Sequence, residues 1–166
     1  MLYVLFGAAA AGLLALDQWL KAWITQNLPL GEAMPLIPKF VELRTVHNYG
    51  AAWSSFSGQR WLLIAVTALI MAAVVYLLVR RIVRHPLGLC ACFLILSGGV
   101  GNLIDRVRMG YVVDMFNFLF MDYPVFNVAD ICVVCGAIVG AVYYLFFYDK
   151  YDKVTKDGND ASSRRA

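Results

Sequence analysis

Apolar residues fall in four long blocks, residues 2–16, 61–79, 87–104 and roughly 125–148, with charge and turn residues gathered between them. The second block, WLLIAVTALIMAAVVYLLV, runs 19 residues without a charge. At ~1.5 Å per residue that is enough to cross a hydrocarbon core about 30 Å thick. The first block is shorter, but continued through Asp17 to about Trp23 it too makes a full span. The pattern predicts four transmembrane helices, over about 2–23, 61–79, 87–104 and 125–148. Together they form a single membrane-embedded domain over 1–148, followed by a polar tail at 149–166. Between the first two spans, Phe40, Glu42 and Arg44 alternate with apolar neighbours as in a half-buried strand, and Asn48-Tyr49-Gly50 reads as a turn. The stretch YVVDMFNFLFMDYP (111–124) is aromatic and suits the membrane interface. The predicted fold class is membrane α-helical: four transmembrane helices, a small external β-sheet and an interfacial amphipathic segment.

Composition agrees, with 61% hydrophobic and 15% charged residues among 166. A soluble domain of this length rarely carries so few charges. The positions of the basic residues then set orientation. RRIVRH (80–85) packs three arginines into one short loop, and the tail adds Lys150, Lys153, Lys156, Arg164 and Arg165. The other side carries only Lys39, Arg44, Arg60, Arg106 and Arg108. Under the positive-inside rule both termini face the cytoplasm. The net charge of +3 reflects this topology and implies no nucleic-acid partner. A cleaved signal peptide over 1–16 is disfavoured, because no Lys or Arg precedes Lys21.

Orientation assigns a depth to each carboxylate. Asp17 lies roughly 22 Å along the first span, toward the external face. Asp105 and Arg106 stand at the external mouth of the third span, and Asp114 follows in an external loop. Asp130 sits about 8 Å below the external surface in the inward-running fourth span. Asp17, Asp105, Asp114 and Asp130 therefore collect in one outer layer. A structural reading accounts for two of them: Asp17 and Lys21 are an i,i+4 pair, and Asp105 can pair with Arg106. Asp114 and Asp130 have no local basic partner and favour chemistry. Two carboxyls brought close in a partly dry site hold one proton between them. Such a pair can activate water against an amide, one member as base and the other as acid. Proton-coupled transport uses the same ingredients, but the inner halves of the spans carry no Asp, Glu, Lys, Arg or His to continue a path. A non-catalytic membrane assembly factor is the other alternative; it would tolerate Asp→Asn at 114 and 130.

Among the remaining residues, Gly98, Gly99 and Gly101 suit close helix approach, and Gly136 with Gly140 makes a GxxxG spacing. Asn102 and Asn127 can orient backbone or carboxylate groups. Cys90 and Cys92 lie at the opposite depth from Cys132 and Cys135, so the four cysteines do not form a metal set, and His47 and His85 are isolated.

The ordered set LDQWLK (16–21), HNYGAAWS (47–54), GGVGNLIDR (98–106), GYVVDMF (110–116) and FNVAD (126–130) resembles lipoprotein signal peptidase, the signal peptidase II family. The resemblance implies a bacterial inner-membrane aspartic endopeptidase with no metal or cofactor. Its substrates would be diacylglyceryl-modified prolipoproteins, cut just before the lipidated cysteine. It implies a catalytic pair at Asp114 and Asp130, supported by Asn48, Asn102, Asp105, Arg106, Asn127, Asp17 and Lys21. It also implies contact with membrane lipids and inhibition by globomycin-type cyclic peptides. Tyr49, Trp53 and Ile131 depart from the family's commonest residues, which bears on groove shape and leaves the aspartates in place.

Overall fold

The computed structural model describes residues 1–153. In chain order it contains α1 (Leu2–Asn27), β1 (Ala33–Ile37), β2 (Val41–Asn48), α2 (Arg60–Val79), α3 (Pro86–Arg108), β3 (Val112–Phe118) and α4 (Val128–Tyr143), which continues as a wide π-type helix through Lys153. Among the described residues, four helical segments are long and apolar enough to span a membrane: Leu2–Asn27, Arg60–Val79, Pro86–Arg108 and Val128–Lys153. The helix thus runs on into the stretch expected as tail; residues 154–166 of that expectation lie outside the described residues.

Local chemistry sets the ends. α1 outlasts the expected Trp23 to Asn27, then Leu28 turns extended ahead of Pro29, where the proline ring disfavours helix. α3 opens with Pro86 at its first turn, and the His85 ring accepts from the Leu87 N–H as N-cap. It closes before Gly110, whose φ of +87° suits only glycine. The Arg60 guanidinium, at the start of α2, donates to the carbonyls of Arg106 and Val107 at 2.7 and 2.8 Å, satisfying orphan acceptors at the end of α3.

α3 is the central helix. It packs against α1, α2 and α4, and its buried face carries Gly98, Gly99 and Gly101. A Cβ at Gly98 would lie 2.2 Å from the Ala129 carbonyl oxygen, so α4 approaches α3 at backbone contact. Gly136 meets Ile95 and Ala91 in the same way one level deeper, which accounts for the GxxxG spacing as packing. Away from the site, Val74, Leu78, Val83, Leu89, Cys92 and Tyr143 form one apolar cluster. Beside it the buried Asp152 accepts from the backbone N–H groups of Arg84 and His85 and from the Tyr143 hydroxyl. The extension of α4 is thereby clipped to the start of α3.

The sheet is antiparallel in the order β1-β2-β3. Two of its strands differ from expectation. β1 was hidden by Pro35, which breaks a strand signal but is tolerated on an edge, and the pairing slips between Pro35 and Ile37. The stretch expected at the interface is strand over 112–118, because Val41–Asn48 offers it a pairing partner. Tyr111 and 119–124 stay outside strands, with Leu119, Phe120, Met121 and Tyr123 exposed.

The sheet sits on the end of α1 through a cluster of Ile24, Leu28, Leu43, Val113 and Met115. The buried Thr45 hydroxyl donates to the Leu28 carbonyl at 2.9 Å and pins the two together. Thr45→Val keeps the shape but leaves that carbonyl unpaired. Thermal unfolding in detergent is expected to show a loss of about 1–3 kcal/mol.

Candidate active site

Asp114 and Asp130 arrive at the site by different routes. Asp114 is on β3, opposite Val46 of β2. Asp130 is the third residue of α4, inside a capping box. There the Asn127 side-chain oxygen accepts from the Asp130 N–H at 2.8 Å, and the Asn127 N–H donates to Asp130 Oδ2 at 3.1 Å. The box explains why α4 begins at Val128 rather than 125. Its signal, Asn127-x-x-Asp130, is present in the sequence.

Three asparagine amides surround the two carboxyls. Asn102 Nδ2 donates to Asp130 Oδ1 at 2.7 Å, Asn127 Nδ2 to Asp114 Oδ1 at 2.7 Å, and Asn48 Nδ2 to Asp114 Oδ2 at 2.9 Å. With the Asn127 backbone on Asp130 Oδ2, all four carboxyl oxygens accept one N–H each. The hydrogen-bond partners of both aspartates are thus amides and backbone, with the charges of Lys21 and Arg106 close by. Burial pushes the Asp114 carboxyl up to about 7, and the Asp130 charge adds to the rise; the two amides and Lys21 oppose it.

A layer of charge lies behind the pair. Lys21 Nζ meets Asp17 Oδ2 at 2.8 Å and Asp105 Oδ2 at 2.9 Å. The Asp17–Lys21 pair thus forms as the spacing suggests. Asp105 does not pair with Arg106, the alternative the sequence had offered; neighbours on a helix point apart, and Lys21 faces Asp105 from α1. Both acids also position the catalytic candidates. Asp17 Oδ1 accepts from the Ala129 N–H at 2.9 Å, and Asp105 Oδ2 from the Val113 N–H at 3.3 Å. Each therefore holds the residue next to one of the paired aspartates. Gln18, passed over in the sequence, bridges them, with Nε2 within 3.2 Å of Asp17 and 3.1 Å of Asp105. Only its place beside Asp17 in LDQWLK hinted at this.

Arg106 instead lies buried at the groove wall, within electrostatic reach of Asp130, Asp114 and Asp105. Its Nη2 donates to the Gly50 carbonyl at 2.9 Å, anchoring the turn after β2. That turn fixes Asn48, whose Oδ1 accepts from the Gly50 N–H at 2.9 Å. A side chain at Gly50 would collide with the backbone of Ser54 and Ser55 at 2.6 Å.

A cavity of about 330 Å³ opens beside the aspartates. Its polar wall includes Asn48, Asn102, Arg106, Asp114 and Asp130; Thr67, Met71, Ile95, Gly99 and Val133 from α2, α3 and α4 extend it as an apolar groove. Trp53 and Tyr123, from the segments that follow β2 and β3, also line it and meet edge to face at 5.8 Å. Cys132 is buried on α4 while Cys135 is exposed.

A multi-pass helical bundle with a groove that reaches paired carboxyls is of the class of membrane aspartic peptidases. The family model for signal peptidase (SPase) II matches residues 9–147, and the chain belongs to that family. Its members remove signal peptides from prolipoproteins. The lipoprotein signal peptidase of Enterococcus faecalis is 36% identical over 162 residues, 98% of each chain. That of Clostridium acetobutylicum is 41% identical over 146 residues, 86% of this chain and 94% of the other. Two solved bacterial membrane enzymes share the fold. One has a TM-score of 0.79 at 30% identity, over 91% of this chain and 90% of that one. The other has a TM-score of 0.77 at 31% identity, over 87% and 93%.

Proposed function

We propose that the protein cleaves diacylglyceryl-modified prolipoproteins immediately before the lipidated cysteine, using Asp114 and Asp130 as its catalytic pair. The observation that carries the reading is the set of four N–H donors, one on each carboxyl oxygen, at the wall of a groove that is polar at one end and apolar at the other. The apolar length suits acyl chains and an apolar leader, and the polar end suits a scissile amide. With one oxygen lone pair taken on each side, the lone pairs left over are free for a shared proton and a water. The ionised member takes the water's proton as the oxygen attacks the carbonyl carbon. The protonated member gives its proton to the carbonyl oxygen; the proton taken from water then passes to the amide nitrogen, and collapse of the tetrahedral species expels the amine as a hydroxyl proton returns to the pair. The pair titrates as a unit.

The proton on the pair gives a pH test. With Asp114 raised to about 7, the one-proton form persists through mildly acidic pH and is lost above neutrality. Turnover is therefore expected to fall as pH rises through about 7. A profile still climbing well past that value would count against the assignment. Stability has a matching sign. The native carboxyl keeps a proton that the unfolded chain, at 3.8, releases, so stability declines as pH rises from about 4 to about 7 and levels off beyond.

In this reading the chain lies in the bacterial cytoplasmic membrane with both termini inside and the site near the external face. The basic loop 80–85 at the far end of α3 from the aspartates supports that orientation. Membrane lipids would surround the exposed helix faces, and globomycin-type peptides would compete for the groove. The test is a gel-shift assay of purified protein on a diacylglyceryl-modified prolipoprotein, with and without such a peptide. A folded protein that leaves the substrate intact would overturn the proposal.

A further inference from the structure

The three asparagines each have two chemically different ends, and only one end of each suits a carboxylate. What turns the right end inward differs among them. Asn48 is set by its own turn, where the Gly50 N–H can meet only an oxygen. Asn127 is set by the capping box, where the Asp130 N–H makes the same demand. Asn102 lies inside α3, in its last two turns, with no local backbone donor available to its side chain. Its oxygen accepts instead from Lys21 Nζ at 3.1 Å and from Asn127 Nδ2 at 3.2 Å. An ammonium group has donors only, so it cannot face the NH₂ end. Lys21 is itself buried, and Asp17 and Asp105 hold its position at 2.8 and 2.9 Å.

We infer that Lys21 is a positioning residue for the reaction. Acting through Asn102, it fixes the direction of the hydrogen bond to Asp130. Asn127 Nδ2 already divides itself among Asp114 Oδ1 at 2.7 Å, Asn102 Oδ1 at 3.2 Å and the Val113 carbonyl at 3.4 Å. It is a weak and shared donor, so it does not hold Asn102 alone. Without the ammonium, the Asn102 amide can turn its oxygen toward Asp130 and oppose two acceptors, which removes one of the four donors on the pair. The ion triad of α1 and α3, which reads as structural by its burial and pairing, thereby sets the polarity of the catalytic amide. This inference rests on the proposed role of Asp114 and Asp130.

The test is a double-mutant cycle on lipidated prolipoprotein cleavage with Lys21→Met, Asn102→Ala and both together. Asn102→Ala is expected to lower kcat about 100-fold, the scale of a small misplacement at a reacting group. Lys21→Met should lower kcat by a comparable factor with KM unchanged. The double variant should match Asn102→Ala within about threefold, because the route through Asn102 is already gone. Should Lys21→Met not fold, judged by thermal unfolding in detergent, the same cycle is run with Lys21→Met/Asp105→Asn in its place, which preserves the net charge of the triad. Losses that multiply in the double variant, or a Lys21→Met enzyme with wild-type kcat, overturn the inference. Asp114→Asn and Asp130→Asn run in parallel; if either cleaves normally, the failure belongs to the catalytic pair rather than to Lys21.

Discussion

Asp114→Asn and Asp130→Asn are each expected to abolish cleavage, with kcat lowered by about a thousandfold or more. General acid or base catalysis by one positioned group contributes about 10²–10⁴-fold, and members of one catalytic unit fail together. Asparagine keeps the size of each side chain, so the fold should survive. At 114 the substitution should also remove a burden. Above pH 7 the wild-type protein holds a charge on a carboxyl that is 1% exposed, and the amide does not. Thermal unfolding should therefore lose part of its pH dependence between about 4 and 7 in Asp114→Asn. The gel-shift assay and the melting curve give separate readouts. Normal turnover by either variant would remove that residue from the mechanism. The assembly-factor alternative left open by the sequence would then regain its main support.

Gly98→Ala carries the second largest expected effect. The added methyl would sit 2.2 Å from the Ala129 carbonyl oxygen and 2.7 Å from Val133 Cγ2. The first neighbour is backbone and cannot rotate aside, so the start of α4 must move. That start bears Asp130 and the Ala129 N–H held by Asp17. A displacement of about 1 Å there is enough for a hundredfold loss of kcat. The melting temperature should fall as well. Gly12→Ala is the matched control, since nothing lies within 4 Å of the position a Cβ would take. It should leave rate and stability near wild type. A fully active Gly98→Ala enzyme would mean that α3 and α4 separate without disturbing the pair.

Much of this molecule is legible in one dimension because bilayer thickness converts hydrophobic length into architecture. An uninterrupted apolar run such as 61–79 has few other stable solutions. Carboxylates inside such runs stand out for the same reason, and Asp17, Asp105 and Asp130 could be assigned to one layer by counting residues. Failures came where the signal is weak per residue or depends on a partner. β1 carries Pro35 and a fully exposed pattern, so nothing in it announced a strand. β3 reads as an aromatic interface stretch until β2 is present to pair with it. Gln18 has no local signature, because its partner Asp105 is 87 positions away. The sequence offers Asp105 the adjacent Arg106 as a possible partner; helix geometry sends the two side chains to different neighbours.

The sequence by itself determined the spans, the layer in which the acids gather and, through five ordered motifs, the family. The tertiary structure decided which of those acids face the groove and which sit behind it. Asp17 and Asp105 have the same chemistry as Asp114 and Asp130 and similar depth. What separates them is their company: the α1 lysine, which pairs with Asp17 within its own helix and with Asp105 across to α3, for the first two, and asparagine amides from β2, α3 and the cap of α4 for the others. Charge pairing and amide direction depend on distances of about 3 Å between residues far apart in the chain, and only folding fixes those distances.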